Sequence, residues 1–331
     1  MKLEYTDFDR DIWSRELEEF VPQVIYDMHT HIWSDQHRGS NAPRSQSGLR
    51  QEYDYQDHLT WAANLYPDRE MHYLIIGTPV VDLDAQGHND WMAQQMTADP
   101  ASAVNMLVTP DMTAEYVAEQ VRKHRFLGLK PYRLFAPDPA NARILDFLPE
   151  HLIELAHDMK LAITMHLSKP TGPADANNQR DLERYTRQYP GAQWILAHCA
   201  RAFNSFMMEE AIHFLTGLPN IWYDSSAVND MYSHFLLMKH EDRSRVMFGS
   251  DNIVAGCERG KYVTYARAWY QFAGFADLPH CDPRATLVIY EQLRQERQVA
   301  DILGLTKDEV ENHFAGNARR FISQMRAQQR N

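Results

Sequence analysis

The chain has 331 residues, 44% hydrophobic and 24% charged, which is enough to bury a large core as one big α/β barrel or two ordinary domains. A formal charge of −12 argues against nucleic acid as the main partner, because neutralising phosphates requires clustered Lys and Arg. No apolar run approaches membrane-spanning length and the acidic start EYTDFDRDIW lacks a signal-peptide pattern, so a soluble cytoplasmic protein is expected.

The three cysteines, Cys199, Cys257 and Cys281, form no CxxC and fit a reducing compartment. Residues 1–23 read as a short helical arm, with Trp13, Leu17 and Phe20 at roughly helical spacing. The next stretch, YDMHTHIW at 26–33, organises everything after it. An apolar, strand-like run ends in His29-Thr30-His31, and residues i and i+2 of a strand point to the same side. Both imidazoles can therefore converge past the strand end, where a metal that accepts nitrogen ligands would sit. An isolated HxH is more often one core histidine and one solvent histidine, so later strands decide the matter.

Residues 34–57 turn polar, rich in Ser, Asn, Gly, Arg and Gln, and their place after the histidine pair suggests a lid. Apolar runs at 72–77, 104–108, 126–135, 161–166, 193–198, 220–226 and 245–251 are predicted as strands two to eight. Pro131 weakens the fourth, since proline sits at a bulge or a strand end. Helices are predicted at 89–98, 113–125, 144–159, 179–189, 205–216 and 232–239. The tail, 283–331, reads as two or three helices, the last opened by a Thr306/Glu309 capping box. Strand–helix alternation predicts an α/β fold, a (β/α)8 TIM barrel with extra C-terminal helices, forming a single domain over 1–331. An open doubly wound sheet would need a phosphate-type glycine loop after strand one, and the sequence has none.

Active sites of such barrels gather at the C-terminal strand ends. Strand one ends in His29 and His31, strand five in His166, strand six in His198 and strand eight in Asp251. Four histidines and an aspartate on one face are hard to explain as core packing, and they suit a metal site.

With GSD on strand eight, the closing GNARRF and the long loop after strand one, this set resembles the amidohydrolase superfamily, in its amidohydrolase-related branch. That branch holds metal-dependent hydrolases and lactonases along with relatives of aminocarboxymuconate-semialdehyde decarboxylase. The resemblance runs from about Val24 to Ile322. It implies that His29, His31 and His166 ligate one divalent metal, most often Zn2+, with Mn2+ or another transition metal as alternatives. Asp251 would be a further ligand or the base, and His198 a catalytic histidine that orients the metal-bound water, or a second-metal ligand in a two-metal site.

Two-metal relatives often carry a carboxylated lysine ending strand four. Lys130 is a candidate, but Arg133 matches the family's basic position better, so a mononuclear site is expected. Arg133 could hold a substrate carboxylate, a surface salt bridge being the plain alternative. Lys169, Arg201 and Arg259 follow strand ends five, six and eight and could also meet an anionic substrate, while Trp33 and Trp222 could wall the pocket.

The leading expectation is a metal-dependent hydrolase that opens a lactone or amide in a small, carboxylated substrate. The first alternative is non-oxidative decarboxylation of an aromatic or enoic acid, and the second a catalytically inactive metal-binding barrel. A small-molecule substrate is the expected partner, with neither nucleic acid nor membrane, and homo-oligomerisation is left open.

Overall fold

The computed structural model describes residues 3–39, 52–78, 80–272, 280, 282 and 284–330. Eight parallel strands follow one another in chain order around a nearly closed barrel. They are β1 Val24–His31, β2 Glu70–Ile76, β3 Ala103–Val108, β4 Gly128–Pro131, β5 Ala162–Met165, β6 Gln193–Leu196, β7 Ile221–Asp224 and β8 Val246–Met247. Closure runs through the segment after β8. Met28 N donates to Phe248 O (3.0 Å), Asp251 N to His29 O (2.8 Å) and His31 N to Asn252 O (2.6 Å). The strand ends that carry the histidines therefore ring one axis, as the α/β alternation predicts.

The strands are mostly buried on both faces because helices cover the outside. Met106, Leu129, Ile163, Leu196 and Tyr223 are all buried in the core. The helices start where polar caps occur: Thr113 accepts from Tyr116 N, Asp175 from Asn177 N and Asn178 N, and Asp230 from Ser233 N. The helix expected over 144–159 is two, Ile144–Phe147 and Glu150–Asp158. Pro149 divides them, since a proline disfavours helical backbone in the residue before it.

Strand four is shorter than expected. It ends at Pro131 and gives way to a 3-10 turn, Arg133–Phe135. The polar stretch 34–57 is partly structured: Trp33–Ser34 pairs antiparallel with Glu52–Tyr53, and the helix Tyr55–Leu65 begins behind an Asp54 cap. Residues 40–51 of the expected lid lie outside the described residues.

An antiparallel hairpin, Lys261–Tyr265 with Ala268–Phe272, was not expected from the sequence; it packs Tyr262 and Trp269 on Phe203. The N-terminal arm is helical from Asp7. Buried Asp9 anchors it by accepting from Arg259 and Thr286. The tail forms Val288–Leu303, Lys307–Glu311 with the Thr306 capping box, and Asn317–Gln328. Among the described residues, no helix is long and apolar enough to cross a membrane.

Candidate metal centre

The four histidines form an arc at the C-terminal strand ends. Ring centroids are 5.4 Å apart for His31 and His29, 4.6 Å for His29 and His198, and 5.0 Å for His198 and His166. Asp251 closes one end, its Oδ1 standing 3.1 Å from His31 Nε2 and 3.7 Å from His29 Nε2. This carboxylate comes from a residue with φ +56, held there by its own N–H on His29 O. Gly249 leaves the room it needs, because a Cβ would press on His29 Cβ at 3.0 Å, Ser226 Cβ at 3.2 Å and Asp224 Cβ at 3.3 Å.

Each imidazole commits Nδ1 to a protein oxygen. His29 Nδ1 donates to Asp224 Oδ2 (2.8 Å), His166 Nδ1 to Leu167 O (3.0 Å) and His198 Nδ1 to Ser226 O (3.0 Å). His31 Nδ1 lies 3.5 Å from the Tyr132 hydroxyl oxygen, whose own proton goes to Gly77 O. The Nε2 lone pairs of His29, His166 and His198 are left free, which is the tautomer a histidine ligand needs, with the supporting oxygens a metal site provides, while His31 Nε2 pairs with Asp251 Oδ1 (3.1 Å). Ligand atoms of His29, His31 and Asp251 lie within 4.8 Å of one another. Two imidazoles and a carboxylate at that spacing fit a divalent ion.

His198 adjoins this trio through His29. His166 is the outlying member of the expected ligand set, because the described ligand groups that meet the same spacing do not include it.

Electrostatics agree with neutral imidazoles. Burial pulls the His29 imidazolium down to about 4, and lowers His166 and His198 as well. For Asp251, burial acts to raise the carboxyl, but the hydrogen bond from His31 and the neighbouring histidines outweigh it and hold it below the usual value.

Asp224, at the end of β7, belongs to the site although sequence reasoning gave it no role. Besides His29, it accepts through Oδ1 from His198 N (3.0 Å), Ser226 N (3.2 Å) and Ser226 Oγ. Although it shares a 4.8 Å group with His29 and His198, its acceptor positions are filled, so it holds the two histidines instead of offering itself to an ion. The signal was available: Asp224 ends strand seven as the histidines and Asp251 end theirs.

His198 owes its position to an uncommon backbone. His198, Cys199, Ala200 and Arg201 all have positive φ, between 49° and 67°, and none is glycine. Such a turn stores backbone strain. It is held by Asp224, by Ser226, and by Cys199 Sγ, which lies 3.7 Å from His234 Nδ1. Its last residue, Arg201, is buried. The Arg201 guanidinium donates to Lys169 O, and burial with Arg133 nearby pulls it down to about 10. Arg133 donates to Pro139 O (2.9 Å). Neither arginine forms an ion pair among the described residues, and both act electrostatically on His166.

The other expected contacts fall elsewhere. Arg259 is taken by Asp9 and the arm, and Lys169 Nζ by Asn141 O. Trp33 is buried beside Tyr53, at 5.7 Å between ring centroids. Trp222 packs on Phe321 of the C-terminal helix and donates to Gln193, away from the histidines. Lys130, set aside in favour of Arg133, is the basic residue on β4 itself. It is wholly buried; burial brings its ammonium down to about 8, against the pull of Asp224 and Asp251.

A family model described as Amidohydrolase matches residues 26–323. No curated protein matches the chain. Among solved structures, an amidohydrolase from Burkholderia multivorans with bound zinc superposes with a TM-score of 0.60 at 13% identity, covering 91% of this chain and 99% of its own. An Acinetobacter baumannii protein described as a probable 2-pyrone-4,6-dicarboxylic acid hydrolase, with citric acid bound, gives 0.59 at 12% identity, covering 90% and 99%. A 2,6-dihydroxybenzoate decarboxylase from Rhizobium gives 0.55 at 12%, covering 92% and 99%. At these identities the likeness speaks for the fold alone.

Proposed function

The chain belongs to the family described as Amidohydrolase, and from that premise we propose that it is a metal-dependent hydrolase that opens a lactone or amide in a small carboxylated substrate. One observation carries the reading: the histidine arc has a carboxylate at one end and, acting on His166 at the other, two guanidiniums without acid partners among the described residues. A substrate lying along it has its carboxylate at Arg133 and Arg201 and its reacting carbonyl beside Asp251. His29, His31 and Asp251 would hold one divalent ion, zinc by preference, with His166 and His198 completing the ring. Such an ion would supply Lewis acidity to polarise a carbonyl and acidify water.

The chain's own groups do the rest. Asp251 accepts the proton of the attacking water and returns it to the leaving group. His198, fixed through Nδ1 on Ser226, orients that water with Nε2. Asp224 keeps His29 and the His198 turn in place. The test is turnover of a panel of carboxylated lactones, amides and benzoates with product analysis. Products heavier by one water support the reading. Carbon dioxide from the benzoates supports decarboxylation instead, and inertness throughout supports a binding barrel.

A further inference from the structure

Lys130 stands one residue before the end of β4, and none of it is exposed. Its Nζ has no hydrogen-bond partner among the described residues; its contact is the face of the Tyr132 ring, 4.8 Å from the centroid. The same ammonium acts electrostatically on His29, His166 and His198, and Asp224 and Asp251 act on it. These five come from five different strand ends, so Nζ, buried on β4 of the same barrel, lies within electrostatic reach of each. An ammonium has three N–H donors and no acceptor, and leaving them unmet in a dry interior is costly. An aromatic face meets part of that demand only. The site is arranged for a partner that arrives with the ligand.

We propose that Lys130 is a catalytic residue whose ammonium donates to the substrate oxygen that becomes negative when water adds to the reacting carbonyl. This rests on the hydrolytic reading above. In the addition step a bond forms from water oxygen to carbonyl carbon, the carbonyl π pair moves onto its oxygen, and the proton of water passes to Asp251. In the collapse the carbon–oxygen double bond re-forms, the ring bond to the leaving oxygen breaks, and Asp251 returns the proton. Lys130 keeps its protons throughout. Its work is electrostatic, on charge that exists only between those steps. Arg133 and Arg201 are then left to bind the fixed carboxylate, so the site separates recognition from charge stabilisation.

Lys130→Met and Lys130→Gln test this. Turnover of the best lactone should fall about 100-fold or more, with KM within about threefold and metal content unchanged. The second readout uses phosphonoacetate and metal-free protein. Its carboxylate suits the arginine pair and its tetrahedral anion suits the Lys130 position, so affinity should drop about tenfold in either variant. That binding measurement stands even if the panel yields no hydrolysis, which would count against the functional reading alone. Unchanged phosphonoacetate affinity in folded Lys130→Gln protein overturns the proposal. So does a carbamate resonance in wild-type protein equilibrated with isotopically labelled bicarbonate, because Nζ would then be an anionic ligand and not a donor.

Discussion

Replacing Asp224 by alanine removes the acceptor for His29 Nδ1–H, His198 N–H, Ser226 N–H and the Ser226 hydroxyl, all buried. Each stranded buried donor costs roughly 1–3 kcal/mol, and the hydroxyl can turn elsewhere. The costs overlap, because the four donors face one small space, so we expect a loss of about 3–5 kcal/mol, as when a buried pair loses one partner. That is a large share of the ~5–15 kcal/mol that holds a typical domain together. Asp224→Asn keeps one acceptor oxygen and should lose roughly half as much.

The pH dependence has a fixed sign. Burial acts to raise the Asp224 carboxyl, but the His29 imidazole and the Ser226 hydroxyl outweigh it and hold the carboxyl below its ordinary range. A depressed carboxyl contributes stability that is present above the unfolded value, ~3.9, and is lost as pH falls through the lower folded value. Urea unfolding of metal-free protein at neutral pH and in steps toward pH ~3 measures both effects. The wild-type advantage over Asp224→Asn should shrink only in the acid limb. A variant within about 0.5 kcal/mol of wild type at neutral pH, with unaltered metal affinity, refutes the reasoning.

The double variant His29→Ala/His31→Ala should lose the bound divalent ion, read by elemental analysis against about one ion per chain in the wild type. Arg201→Met should raise KM for carboxylated lactones by about 10- to 100-fold while leaving an uncharged lactone unaffected; equal effects on both would remove the anchor role. Gly249→Val should weaken metal binding and lower stability by roughly 1–3 kcal/mol, because its side chain has nowhere to go but into His29, Ser226 and Asp224.

The barrel was legible because its strands are apolar runs and its helices amphipathic, and His29, His31, His198 and Asp251 could be read as strand-end residues before any fold was known. Three features were harder. The end of β4 depended on how Pro131 is read: taken as a bulge it carries the strand on to Arg133, taken as a stop it leaves Lys130 as the residue inside the barrel. The left-handed turn from His198 to Arg201 contains no glycine or asparagine, so nothing in its composition announces positive φ. The hairpin turns through Ala266 and Arg267 without the Asn-Gly or Asp-Gly pair that marks a tight turn, so its strands looked like ordinary loop. Asp224 is a different case. It lies in strand seven, and the positional rule that singles out the strand-end histidines applies to it equally.

The most direct test of the account is hydrolysis by chelator-stripped protein reloaded with one equivalent of zinc, run beside Asp251→Asn prepared in the same way. The account predicts no turnover of the carboxylated lactones before reloading, turnover after it, and products heavier by one water. It also predicts a loss of orders of magnitude in the folded, metal-loaded Asp251→Asn variant. Turnover by the stripped protein, near-normal turnover by Asp251→Asn, or carbon dioxide as the product would contradict it.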